Sequence, residues 1–284
     1  MRYFSTSLLL LAPVLAAAAD ISGTDLLAGA FAKKLEAAGA VSADFSGTLP
    51  SRQAFAAGRV GAVILMMREN ETAPAPASKV PVEQFRLASA VGVVAVHASN
   101  KMDQLTMENL VAIFSREARS SALNWNDLTT RARSEIITPA VCSPVGTLTL
   151  EVFQGLVMEG APFRGDVRLR VDVALASDLL ASRAGAVVLM PRPPVGPGRV
   201  LPIADGRASR PATAYFPDEN NVYNGDYPLQ LPLVVYVRQD KLAALKPALR
   251  WLFSDEAAAL LEKQDLHPAP KAARVRFAQR LDTR

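Results

Sequence analysis

Apolar runs of strand length alternate with amphipathic helical stretches along most of this chain, and that alternation limits its fold more than any other feature. Val60–Met67 and Val91–Ala98 are long enough for buried strands and well short of the roughly 18 apolar residues of a membrane span. Leu27, Phe31 and Leu35 recur at i, i+4 and i+8, which predicts a helix over Leu26–Ala38 with Gly39 as its stop. Val41–Phe45 reads as a strand, Ser51–Ala57 as a short helix, and Phe85–Ala98 as one long extended element. Met107–Phe114 follows as an amphipathic helix with Thr106 as its N-cap. Beyond it, strands are expected at Ile136–Cys142, Gly185–Met190 and Leu231–Val237. Helices are expected at Leu148–Met158, within Val171–Ala184, and in a C-terminal pair, Lys241–Phe253 and Ser254–Lys263. Such an order predicts an α/β fold.

Residues 1–19 stand apart from this pattern. Arg2 precedes the apolar Leu8–Leu15, and Ala17-x-Ala19 supplies small residues before Asp20. These are the three regions of a secretory signal peptide. The expected product is a periplasmic or secreted protein with no membrane span after cleavage.

Composition excludes several chemistries. The single cysteine cannot form an intramolecular disulfide, and Cys142 with His97 and His267 cannot build a Cys-rich zinc site. The 31 Lys and Arg barely exceed the 27 Asp and Glu, and the arginines are dispersed, so nucleic acid is not an expected partner. Neither histidine is tied by a motif to a serine, so a nucleophilic hydrolase has no base. His97 reads as a packing residue in a strand, Cys142 as a buried small hydrophobe, and Asp218-Glu219 as a solvated turn. No cofactor is expected.

Three loops share one design, a strand, a Gly/Ser/Thr turn and a helix start: Ser22-Gly23-Thr24-Asp25, Ser46-Gly47-Thr48 and Ser143-Pro-Val-Gly146-Thr147. Singly, such loops are ordinary helix caps. Together they would present N–H groups and hydroxyls at the C-terminal ends of strands, where α/β folds bind ligands.

With these landmarks placed, the chain resembles the phosphate-binding periplasmic component of ABC transporters from Ile21 to about Pro270. The resemblance rests on Gly23-Thr24-Asp25-Leu26-Leu27, Gly47-Thr48, Phe55-x-x-Gly58-Arg59-Val60, Ile113-Phe114-Ser115, Trp125-x-Asp127-Leu128 and Gly146-Thr147 before Phe153. Tyr227-Pro-Leu-x-x-Pro232-Leu and Leu252-Phe-Ser254-Asp-Glu256 extend it to the C-terminal region. It implies a two-lobed type II periplasmic binding protein fold with two crossover hinge strands, near Val91–His97 and Leu231–Val237. Lobe one would be residues 20–92 and 236–284, and lobe two residues 93–235.

The resemblance also implies ligand contacts from Gly23, Thr24, Asp25, Gly47, Thr48, Gly146 and Thr147. The family's serine before the third-loop glycine falls on Val145, its arginine on Val141, and its proton-accepting aspartate on Gly61. A desolvated dianion needs charge-assisted donors, and removing one partner of a buried charged bond costs about 2–5 kcal/mol. Arg52 and Arg68 are the cations that would have to replace the lost one. The expected function is non-enzymatic capture of a small solute or oxyanion other than tightly bound phosphate, with an ABC transporter permease as partner. The alternative is a degenerate binding fold that docks another envelope protein.

Overall fold

The computed structural model describes residues 20–68, 71–129, 134–206 and 213–282, so the signal segment 1–19 lies outside the described residues. The chain opens with β1 (Ile21–Gly23), α1 (Ala30–Gly39), β2 (Ala43–Asp44), α2 (Thr48–Ala56), β3 (Ala62–Met66) and β4 (Val82–Val91). It continues with β5 (Val93–Val96), β6 (Leu105–Thr106), α3 (Met107–Phe114), β7 (Thr138–Cys142), α4 (Thr149–Leu156), β8 (Arg168–Arg170), α5 (Val173–Ser182) and β9 (Ala186–Met190). Then come β10 (Arg199–Val200), β11 (Ile203–Ala204), β12 (Ala214–Tyr215) and α6 (Glu219–Asn224). β13 (Gln230–Arg238), α7 (Leu242–Leu252), α8 (Asp255–Glu262), β14 (Leu266–Pro268) and α9 (Lys271–Asp282) close it.

Two main sheets organise these elements. One has the order β14-β4-β13-β3-β1-β2 and the other β10-β5-β9-β7-β8; β12-β11-β6 form a small third sheet. Each main sheet has its own apolar core. Ile21, Phe31, Ile64, Leu233, Trp251 and Phe277 belong to the first, and Val94, Phe114, Trp125, Phe153, Val188 and Tyr227 to the second. Burying that many large side chains, at about 1.5–3 kcal/mol each, is the main favourable term in both lobes.

The extended run expected over Phe85–Ala98 is two strands, β4 and β5, in different sheets. Gly92 is the crossing point. A Cβ there would come within 3.0 Å of Leu189. Its N–H donates to Leu229 O at 2.9 Å, and the buried Tyr227 hydroxyl donates to its carbonyl at 2.7 Å. These bonds tie the two crossings together.

The second crossing differs from the expectation. All of Gln230–Arg238 pairs with β4, and Leu233–Val237 also with β3, so the strand lies inside the first sheet. The chain therefore returns to that sheet before Gln230, and the expected boundary at residues 235 and 236 falls within β13. An apolar run has the same appearance inside a sheet as between two, so nothing in the strand itself corrected the crossing that the resemblance implied.

Local chemistry explains several other boundaries. Thr106 caps α3 in a reciprocal capping box with Asn109, as its sequence predicts, and Ser254 Oγ accepts from Ala257 N at the start of α8. Asp218, expected in a turn, is the N-cap of α6, accepting from Asn220 N and Asn221 N. The expected stop at Gly39 is one residue early: Gly39 is helical, and Ala40 takes the left-handed conformation at φ 49°. Gly39 has another role. A Cβ on it would lie 2.6 Å from Ala248 Cβ, so its absence lets α1 and α7 cross closely. The helix expected from Leu26 is a 3-10 turn, Asp25–Leu27, followed by α1 after Gly29 at φ 80°. His97 is not a core residue, since its Nδ1 meets Ser99 Oγ at 2.8 Å in a partly exposed turn. Cys142 is fully buried, and desolvation raises its pKa to about 11, so it stays an inert thiol.

Candidate functional site

Sheet direction decides where a ligand site lies. β1, β2 and β3 run parallel, and so do β7, β8 and β9. Met190, the last residue of β9, pairs with Val93 beside the crossing, so the C-terminal ends of β7, β8 and β9 point toward the lobe junction. β3 and β4 both run antiparallel to β13, so β3 also ends on the side where β4 crosses. The loops after β1, β2, β3 and β7 therefore face one junction, the arrangement in which α/β sheets receive ligands.

Three of the sequence-predicted residues meet around one cavity. A space of about 390 Å³ is lined by Asp25, Gly146 and Thr147, together with Leu26, Val145, Lys263, Gln264 and Asp265. Gly23 lies at the end of β1 with its absent Cβ aimed 2.6 Å from Ile64 O, so only glycine permits that approach. Thr24 is buried, and its hydroxyl donates to Asp25 Oδ1 at 3.3 Å. The Thr147 hydroxyl and N–H both donate to Pro144 O, at 2.8 and 3.1 Å. Gly47 N–H donates to Gly23 O at 3.1 Å, bracing the first loop against the second. Gly47 and Thr48 do not line this cavity, and Pro50 deprives the first turn of α2 of one N–H donor.

Arg52 does not face the junction cavity. Its guanidinium makes an ion pair with Glu71 at 2.8 Å and donates to Thr72 O at 3.2 and 3.3 Å, fastening the segment after β3. Arg68 is the cation at the junction end of β3. Its Nη2 lies 3.0 Å from where a Cβ of Gly155 would sit, so the guanidinium rests on α4 of the opposite lobe.

The absent family charges also look different in three dimensions. Gly61 is at the N-terminal end of β3, where a Cβ would touch Leu245 and Lys241, so it says nothing about junction charge. The residues that occupy the junction end are Met66, Met67 and Arg68. Val141 is fully buried within β7, and Val145 projects its side chain into solvent, 97% exposed.

Sequence reasoning missed Gln264, Asp265 and Lys263. They lie in the turn between α8 and β14, and no spacing signal joins them to the first and third loops. Arg192, just after β9, donates to Asp265 Oδ1 at 2.8 Å, and His267 Nε2 is 3.4 Å from Pro191 O. Both contacts cross between lobes. Desolvation holds the His267 pKa below the ordinary histidine value despite the opposing effects of Pro191 O, Asp265 and Glu262. A neighbouring cavity of about 370 Å³ is lined by Arg192, Glu219, Glu262 and His267, and shares Asp265.

The junction also has an apolar contact. Leu148, the N-cap of α4, and Val152 and Leu156 on the helix recur at i, i+4 and i+8, and these pack on the core of the first lobe. Its Phe153 and Val157 pack into the second. Beside this helix start, between the lobes, the remaining gap is only about 10 Å³.

No family model and no curated protein matches this sequence. Solved structures do match. One is described as a possible phosphate binding protein from Planctomyces limnophilus, at 19% identity and TM-score 0.70, with 93% of this chain and 96% of that one covered. The chain has the fold of the two-lobed phosphate-binding proteins. PstS from Borrelia burgdorferi aligns at 12% identity and TM-score 0.66, covering 88% of this chain and 98% of its own. An ABC-type phosphate transport receptor from Vibrio cholerae aligns at 16% and 0.56, covering 87% and 98%. At such identities the likeness concerns the fold, and the ligand must be argued from this chain's own groups.

Proposed function

We propose that the protein is an exported, non-enzymatic solute-binding protein that captures a small ligand at the lobe junction, the ligand being other than tightly bound phosphate. The observation that carries this reading is the cavity at the convergent strand ends, lined by loops from both lobes and by no arginine. Neither Arg52 nor Arg68 lines it, and Asp25 and Asp265 do. A phosphate dianion there would meet two carboxylates and no arginine free to bind it in bidentate fashion. An ABC transporter permease is the proposed partner, on the strength of the fold. Among the described residues no helix is long and apolar enough to cross a membrane, which fits the proposed release into the periplasm. Isothermal calorimetry on protein freed of ligand by unfolding and refolding tests the reading. Phosphate is expected to give no submicromolar binding, and a submicromolar constant would overturn it.

A second reading has one specific observation behind it. Leu148, Val152 and Leu156 fill the junction beside the cavity, which suits a fold whose lobes stay shut while it docks another envelope protein. A lobe arrangement in solution that no solute alters would favour this reading.

A further inference from the structure

We infer that the protein carries a second ligand site, separate from the junction cavity, for a small aromatic carboxylate. The inference is independent of the solute-binding reading above. A cavity of about 330 Å³ opens between β4, α6 and α9 and shares no lining residue with the junction cavity. Its apolar lining comes from Phe85 on β4, Phe253 just after α7 and Phe277 on α9. The Phe85 and Phe253 rings both meet the Phe277 ring, so the three form one continuous aromatic surface. The charged lining is entirely cationic: Arg86, Arg276 and Arg280 border the cavity and no carboxylate does.

Arg86 decides the sign of the ligand. It is half-buried, and its guanidinium donates to Val222 O at 3.1 Å, to Tyr223 O and to Gln230 Oε1 at 3.0 Å. All three acceptors are neutral, so a fixed and partly desolvated cation stands at the cavity with no counter-ion. Desolvation accordingly lowers its pKa, opposed only by Tyr223. Arg276 is exposed and makes no hydrogen bond or ion pair among the described residues. Arg280 pairs with Glu83 at 3.0 Å, and its Cζ lies 5.3 Å from the centre of the Phe85 ring. Arg276 and Arg280 are also four residues apart on α9, where like charges repel. Two of the three cations are thus uncompensated, over an aromatic floor. A planar carboxylate takes two parallel N–H bonds from the Arg276 fork, and an attached ring covers the phenylalanines. Inorganic phosphate leaves that floor wet, and a neutral ring leaves Arg86 without its counter-charge.

Titration calorimetry of the purified protein tests this with phenylacetate as the probe. The contrast set is 2-phenylethanol, which has the ring without the charge, acetate, which has the charge without the ring, and inorganic phosphate. Phenylacetate is expected to bind about tenfold or more tightly than any of the three, and more weakly as salt rises. Arg276→Glu, at an exposed position without partners, should abolish that binding without lowering the thermal midpoint, and Arg276→Lys should keep part of it. Phenylacetate binding that Arg276→Glu leaves unchanged overturns the assignment, because the anion then sits elsewhere. Equal binding of 2-phenylethanol overturns the charge argument, and no binding of phenylacetate at millimolar concentration overturns the site.

Discussion

Val152 sits on a helix of one lobe and in the core of the other, so its truncation should act on the lobe equilibrium more than on either fold. It is 2% exposed with the lobes as they stand, and separation would hydrate it. Replacing it with alanine removes two methyl groups from the closed form, at about 0.8 kcal/mol each. The closed form should lose about 1.6 kcal/mol, or roughly fifteenfold in the ratio of closed to open molecules. Val152→Asp is stronger, because a carboxylate in that core costs several kcal/mol unless the lobes part.

Small-angle scattering reads the result as a rise in radius of gyration, small for Val152→Ala and large for Val152→Asp. Far-ultraviolet circular dichroism should stay unchanged, since Phe153 and Val157 still anchor α4 to its own lobe. Glu151→Ala, one residue away and exposed, is the control and should leave scattering alone. A folded Val152→Asp protein with unaltered scattering would refute the reasoning, and so would cooperative unfolding of both lobes. Either result would make α4 a part of one continuous core.

Three further outcomes follow from the packing. Gly39→Val should destabilise the first lobe by about 1–3 kcal/mol by forcing α1 from Ala248, measured as a lower denaturant midpoint. Gly185→Ala should be at least as damaging, because its Cβ would fall 1.9 Å from Ile136 O, and thermal unfolding should show it. His267 has a folded pKa below its unfolded one, so its contribution is present above the ordinary histidine value and lost as pH falls through the folded one. Stability should therefore drop on acidification from about pH 7.5 to 5, and His267→Gln should flatten that slope in pH-dependent urea melts.

Much of the fold was legible because it is written in local chemistry. Thr106 with Asn109 and Ser254 with Asp255 announce helix starts by side-chain oxygen alone, and the apolar runs of β3, β7 and β9 announce buried parallel strands. The loops at Thr24 and Thr147 were legible for the same reason. Hydroxyl direction was not. A threonine beside a glycine reads as a ligand donor, yet Thr24 directs its proton to Asp25 and Thr147 to Pro144 O. Only the neighbouring acceptor's position decides between the two uses. Arg52 shows the same limit with charge, since Glu71 is 19 residues away in sequence and 2.8 Å away in space.

Gly61 carries the more general lesson. Matching a motif within a strand by one anchor, Arg59-Val60, put a charged family position at the wrong end of β3, although a five-residue strand spans about 17 Å. Register along a strand decides which end reaches the ligand, and an apolar run such as Ala62–Met66 contains nothing that fixes it. Direction comes instead from the partner: β13 runs antiparallel to β3, and its start at Gln230 marks the junction end. By that criterion Met66, Met67 and Arg68, rather than Gly61, stand at the junction end of β3, and none of them lines the cavity beside Asp25. Two thioether side chains and an arginine lying on Gly155 of α4 put no carboxylate at that strand end, and the carboxylates that line the cavity, Asp25 and Asp265, come from the loop after β1 and the turn before β14. No apolar strand pattern announces carboxylates placed in this way, because the loops that carry them lie 240 residues apart in sequence.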